Sequence, residues 1–118
     1  HQGELVKHTG DGALVTFPSG SQALAAAVEI RSVTNDLGLR GRIGIHVGEI
    51  ELRGTDIGGI AVHLAARVMG EAGPGEILTS STTAQSALGG RYQFEDRGIR
   101  TLKGIDTPWQ LLAAEPRT

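Results

Sequence analysis

A few short stretches of this sequence carry side chains suited to phosphate, sugar or metal chemistry. The first is the corner Thr9-Gly10-Asp11-Gly12 between two apolar-rich runs. An aspartate at such a corner can shape the turn by bonding its own backbone. It can equally hold a hard cation such as Mg²⁺, which binds through one or two carboxylates plus phosphates and keeps its remaining waters. A single aspartate does not make a two-metal site, which needs bridging carboxylates. The second stretch is TDIGGIAVHLAARVM, residues 55–69. On a helix, His63 and Arg67 lie about 40° apart on one face, bordering an apolar stripe of Ile60, Leu64 and Val68. They form either a solvated helix edge or a phosphate fork, from Arg67, beside a ribose-orienting His63. Asp56 stands just before that helix, where aspartate often caps. Lys103 precedes a glycine in RTLKGID, and Lys7 sits in a strand-like run; alone, each is an ordinary surface lysine.

Other chemistries lack their context. Ser80, Ser81, Thr82 and Thr83 are not framed by a G-x-S-x-G elbow. Histidines 1, 8, 46 and 63 lack zinc-ligand spacing. There is no G-x-x-x-x-G-K-[ST] loop and no G-x-G-x-x-G, so a nucleotide site here is of neither P-loop nor dinucleotide-fold type.

The elements that must position these residues follow from pattern. Glu4–His8 and Ala13–Phe17 read as strands of a hairpin. A helix is expected over Gln22–Leu37, with Ala23, Ala26, Ile30, Val33 and Leu37 as its apolar stripe and Gly38 as its stop. Arg42–Val47 and Glu49–Arg53 read as strands pinned at Gly48. A second helix covers Ile60–Met69 and ends at Gly70 and the Gly73-Pro74-Gly75 breaker. Glu76–Ser80 reads as a strand, Thr82–Leu88 as a short helix, and Tyr92–Arg97 and Gln110–Ala114 as strands. Helices alternating with hairpins imply an α+β class with a mostly antiparallel sheet.

The bulk numbers narrow the partners. A chain of 118 residues is one domain by size. Aromatics are only 3%, so the core must come from Ala, Val, Ile and Leu. A net charge of −2 excludes a nucleic-acid partner held by bulk electrostatics. No apolar run approaches a membrane span, so no membrane contact is expected from this segment. The absence of cysteine fits a reducing compartment, and a cytoplasmic location is expected. The sequence opens on His1-Gln2-Gly3 and is in a strand pattern by Glu4, so it is expected to begin inside a larger product.

Taken in order, the motifs resemble the catalytic domain of class III nucleotide cyclases, the adenylate and guanylate cyclases, of bacterial type. The matching residues are Lys7 with Gly10-Asp11, the run Arg42-Ile43-Gly44-Ile45-His46-Val47-Gly48-Glu49, and Asp56-Ile57-Gly58-Gly59 leading into Val62-His63-Leu64-Ala65-Ala66-Arg67. Gly73-Pro74-Gly75-Glu76-Ile77-Leu78 and Leu102-Lys103-Gly104 complete the match. The resemblance implies a ferredoxin-like, palm-type antiparallel sheet with helices packed on one face. It implies that Asp11 is the second of two metal-binding aspartates, for Mg²⁺ or Mn²⁺, and that Lys7 and Asp56 recognise the purine. Arg67 and His63 are the catalytic pair it implies, with His63 standing where the family more often has asparagine. Lys103 grips the terminal phosphates. The implied activity is conversion of ATP to 3′,5′-cyclic AMP and pyrophosphate in intracellular signalling, at a site formed by a homodimer through its catalytic face.

The family's first metal aspartate and phosphate-binding turn are not among these 118 residues, so this chain alone is expected to be inactive. A non-catalytic dimerisation or nucleotide-sensing module is the alternative. A diguanylate cyclase fits less well, because its G-G-[DE]-E-F turn is absent.

Overall fold

A computed structural model describes residues 4–8, 13–48, 51–53, 56–87 and 90–117, with the backbone alone described in 4–8, 13–16, 51–53 and 56–58. The elements run β1 (Glu4–His8), β2 (Ala13–Thr16), α1 (Gly20–Asp36), β3 (Ile43–Ile45), β4 (Glu51–Arg53), β5 (Asp56–Gly58), α2 (Ile60–Glu71), β6 (Ile77–Ser80), α3 (Ser81–Ser86), β7 (Tyr92–Arg100) and β8 (Trp109–Pro116). Among the described residues no helix is long and apolar enough to cross a membrane.

β1 and β2 pair antiparallel as the expected hairpin, with a register shift between Leu5 and Lys7. The main sheet has four strands in the order β3-β6-β8-β7. β3 runs parallel to β6, while β8 is antiparallel to both β6 and β7. The α+β class and the mostly antiparallel sheet are therefore as the sequence implies.

Three local expectations change. Among the described residues β3 is shorter than the expected Arg42–Val47 and pairs with the distant β6, and β4 pairs with β5, a strand not expected, Arg53 opposite Asp56. Asp56 thus belongs to a strand and does not cap α2, whose N-cap is Gly59 with φ 106° and no side-chain bond. Gly70 does not stop α2, which continues to Glu71; one interior glycine costs a helix only about 1 kcal/mol.

Helices cover both faces of the sheet, not one. Neighbouring strand residues point to opposite faces. Ile77 and Ala114 pack with Leu24 and Ala27 of α1, and with Ala87 just after α3. Leu78 and Ala113 pack with Leu64 and Val68 of α2. The alternation in β6 and β8 therefore separates the two small aliphatic cores.

α1 begins at Ser19, whose hydroxyl accepts from Gln22 N at 3.2 Å. It ends as expected at Gly38, with φ 77°. There Leu39 N donates to Thr34 O at 2.8 Å, the long bond of a Schellman cap. Its apolar stripe is only half used. Leu24, Ala26 and Ala27 are buried, whereas Val33 and Leu37 are 57% and 70% exposed. Periodicity marks an apolar face; it does not provide a surface to cover it.

Candidate functional site

α2 carries two of the candidate side chains, and a glycine decides where α2 lies. Gly44 in β3 faces the helix backbone. A Cβ there would sit 2.6 Å from Met69 Cα and 2.8 Å from Ala65 O, and would press on Met69 N. With hydrogen in that place, α2 rests directly on β3. Ala61, Leu64 and Val68 form its buried stripe. Ile60, expected in that stripe, is 67% exposed, and Ala61 takes its place one residue on.

His63 and Arg67 occupy the polar edge beside this stripe, both half-buried. Arg67 Nε is buried and has no hydrogen-bond partner among the described residues. A buried donor left unpaired costs about 1–3 kcal/mol. The guanidinium is thus a fork whose innermost nitrogen remains free for an acceptor.

The Lys103 turn packs against the same edge. Ile105 N donates to Leu102 O at 3.0 Å, closing a four-residue turn. Gly104, its third residue, has φ 81°, which a type II turn requires and a side chain resists. Leu102 and Ile105 are buried in the core shared with Leu64 and Val68. Lys103, at the second position, is exposed. The His63 imidazole lies beneath Gly104: a Cβ on that glycine would be 2.8 Å from His63 Nε2. The structure therefore brings His63 and the lysine turn together, with Arg67 one helical turn further along α2.

Lys7 and Asp56 are described by their backbone alone. β1, which carries Lys7, runs beside β5, which carries Asp56, with Cα atoms of the two strands within 8 Å. β5 leads through Gly59 straight into α2. Asp11 and the Thr9–Gly12 corner lie outside the described residues. Among the described residues no cluster of three His, Asp or Glu side chains is placed to hold an ion.

A polar network that no sequence motif announces joins the end of β3 to β6 and α3. His46 Nδ1 lies 2.7 Å from Ser80 Oγ, which is 3.1 Å from Thr83 Oγ1. Thr83 Oγ1 accepts from Val47 N at 3.0 Å and donates to Ile45 O at 3.3 Å. That carbonyl can only accept, so the Thr83 proton is committed to it. Ser80 must then donate to Thr83, and His46 must carry its proton on Nδ1 and donate to Ser80. Burial lowers the His46 pKa and keeps the imidazole neutral. Its ring meets Trp109 edge-on at 5.2 Å. The network ties the end of β3 to the start of α3. A histidine closing a strand, followed far along the chain by Ser-x-x-Thr at a helix start, was the only available signal.

No family model matches the chain. A Rhizobium meliloti protein named "Putative adenylate cyclase 3" is 30% identical over 126 residues, covering 99% of this chain and 22% of that protein. An uncharacterised protein of Mycobacterium tuberculosis is 28% identical over 114 residues, and the match covers 40% of it. The chain thus spans less than half the length of these curated relatives. Among solved structures, an adenylate/guanylate cyclase/hydrolase from Silicibacter pomeroyi superposes with a TM-score of 0.86 and 33% identity, over 98% of this chain and 74% of that one. The catalytic core of a rhodopsin-guanylyl cyclase with converted specificity, in complex with ATPαS, superposes with a TM-score of 0.84 and 22% identity, over 98% and 73% of the two chains.

Proposed function

Because this chain belongs to the class III adenylate/guanylate cyclase family of catalytic domains, we propose that it supplies one half of an adenylate cyclase site. Two copies would meet through their catalytic faces. The acidic corner at Asp11 comes from one copy, and Lys7, Asp56, His63, Arg67 and Lys103 come from the other. One observation carries this reading: stretches far apart in the sequence meet around α2 and the strand that leads into it. The His63 edge of the helix receives the Lys103 turn, and β5, which carries Asp56, runs beside β1, which carries Lys7.

The reaction is an intramolecular displacement. The ribose 3′-hydroxyl gives up its proton to solvent water as its oxygen bonds to the α-phosphorus, the bond from that phosphorus to the bridging oxygen breaks, and pyrophosphate leaves. No protein nucleophile is needed. Arg67 meets the charge that grows on the α-phosphate, an electrostatic role favoured by its half-buried guanidinium, whose Nε has no partner among the described residues. Lys103 holds the terminal phosphates, and His63 lies along the ribose side of the same edge. Asp11 would hold one Mg²⁺ or Mn²⁺ through its carboxylate, and the ion would neutralise phosphate charge.

Lys7 and Asp56 decide the base. Adenine offers an acceptor at N1 and a donor at N6, which an ammonium and a carboxylate satisfy. Guanine reverses both groups, and each buried mismatch costs about 1–3 kcal/mol. Steady-state assays with ATP and GTP test this on the intact polypeptide, meaning one that also carries the family's first metal aspartate. A kcat/KM ratio favouring ATP by at least about tenfold is expected, and Asp56→Ala should shrink it by about tenfold. Equal use of GTP by the unaltered protein, or an unchanged ratio in the variant, would refute the adenine assignment.

A further inference from the structure

We infer that His63 is a positioning residue for Lys103: its imidazole is the seat on which the tip of the phosphate-binding turn rests. The inference rests on the nucleotide reading above and adds a role which that reading does not contain. The ends of the turn are already fixed, because Leu102 and Ile105 are 2% and 8% exposed in the α2 core. Neither residue supports the tip, where Lys103 departs. What lies under the tip is His63 Nε2, at 2.8 Å from where a Gly104 Cβ would be.

Two features of Gly104 agree with that contact. Its φ of 81° suits a residue without a side chain. Its Cα face is also closed by the ring, so glycine is required twice over. The ring in turn belongs to the first turn of α2, where His63 N donates to Gly59 O at 3.3 Å. A side chain four residues before Arg67 therefore sets the height of a lysine that lies far along the chain. The cation on the helix and the cation on the turn are held in one frame by a packing contact. A smaller residue at position 63 leaves space beneath the tip. Lys103 then has more freedom to lose when it closes on phosphate, while the hydrophobic ends of the turn stay in place.

The test separates this role from direct contact with ribose. Binding of α,β-methylene-ATP, which cannot release pyrophosphate, and of AMP, which lacks the terminal phosphates, is measured by calorimetry. The proteins are the intact polypeptide, His63→Ala, Lys103→Ala and the double variant. His63→Ala is expected to weaken the ATP analogue about tenfold and AMP less than about twofold. In the Lys103→Ala background the same change should affect the ATP analogue by less than about twofold. His63→Gln, whose amide reaches as far as the imidazole nitrogen, should recover most of the loss.

Equal weakening of AMP, or additive losses in the double variant, would overturn the inference. A Lys103→Ala protein that binds the ATP analogue and AMP as the unaltered protein does would instead overturn the phosphate role of Lys103. Failure of the unaltered polypeptide to bind either nucleotide would overturn the nucleotide reading. The seating is then read from the NMR order parameter of the Gly104 amide at the tip, expected to fall in His63→Ala; an unchanged order parameter overturns it.

Discussion

Arg67→Met is expected to lower cyclic nucleotide formation by the intact polypeptide about 10²- to 10³-fold without lowering its melting temperature. The first half follows from the setting of the side chain. It lies one helical turn beyond His63, on which the Lys103 turn rests, and its Nε is buried with no partner among the described residues. A preorganised donor aimed where charge develops contributes most in a site that excludes water. The second half follows from the same fact read for stability. An unpaired buried donor costs about 1–3 kcal/mol, so a flexible apolar replacement of similar length removes a penalty. A variant at least as stable and nearly inert is the pattern of a residue kept for its ligand. Arg67→Lys should restore little, since an ammonium lacks the planar fork. Turnover within about threefold of the original, or a fall of several degrees in melting temperature, would contradict this.

Gly44→Ala is expected to cost more than about 4 kcal/mol, a loss few single changes produce. A domain of this size holds only about 5–15 kcal/mol in total. The new methyl group would meet Met69 Cα at 2.6 Å and Ala65 O at 2.8 Å. Both are backbone atoms of α2, so no rotamer change can make room. The helix must lift off β3, which opens the Leu64 and Val68 core and carries the His63–Arg67 edge away from the Lys103 turn. Urea denaturation measures the effect. A variant within about 1 kcal/mol of the parent would show that α2 can yield, and the account of how β3 positions the site would fail. The contrast is Gly70, where a Cβ meets nothing within 4 Å; alanine there is tolerated by the packing and favoured by helix propensity.

Much of this architecture was legible because it is local. Gly38 ends α1 by ordinary capping chemistry, as expected, although the helix starts at Gly20 behind a Ser19 cap, two residues before the expected Gln22; the apolar spacing of α2 placed His63 and Arg67 on one edge. The Pro74-Gly75 pair marked a tight turn, which closes through Glu76 N and Gly73 O at 3.0 Å. What escaped is long-range. The parallel pairing of β3 with β6 joins residues more than thirty positions apart, and nothing in Ile43-Gly44-Ile45 names its partner. β5 is three residues long and too short for alternation to declare it a strand. Ile30, Val33 and Leu37 fall at helical spacing yet stay exposed. For the site, the types and order of Lys7, Asp56, Arg67 and Lys103 pointed to one chemistry. The seating of Gly104 on His63 and the His46–Ser80–Thr83 chain did not appear, because each needs contacts between elements whose separation along the chain carries no pattern.

Mixing two inactive variants tests the central claim most directly. Asp11→Ala lacks the acidic corner, and Arg67→Ala lacks the helix cation. If the site is shared between two copies, a mixed pair holds one cleft with both defects and one cleft with neither. Each variant alone should then be near background, and an equimolar mixture should regain a quarter or so of the original turnover, since about half of randomly formed pairs are mixed and each has one of two sites intact. A mixture no more active than its separate components would contradict a cleft built from two copies of this chain.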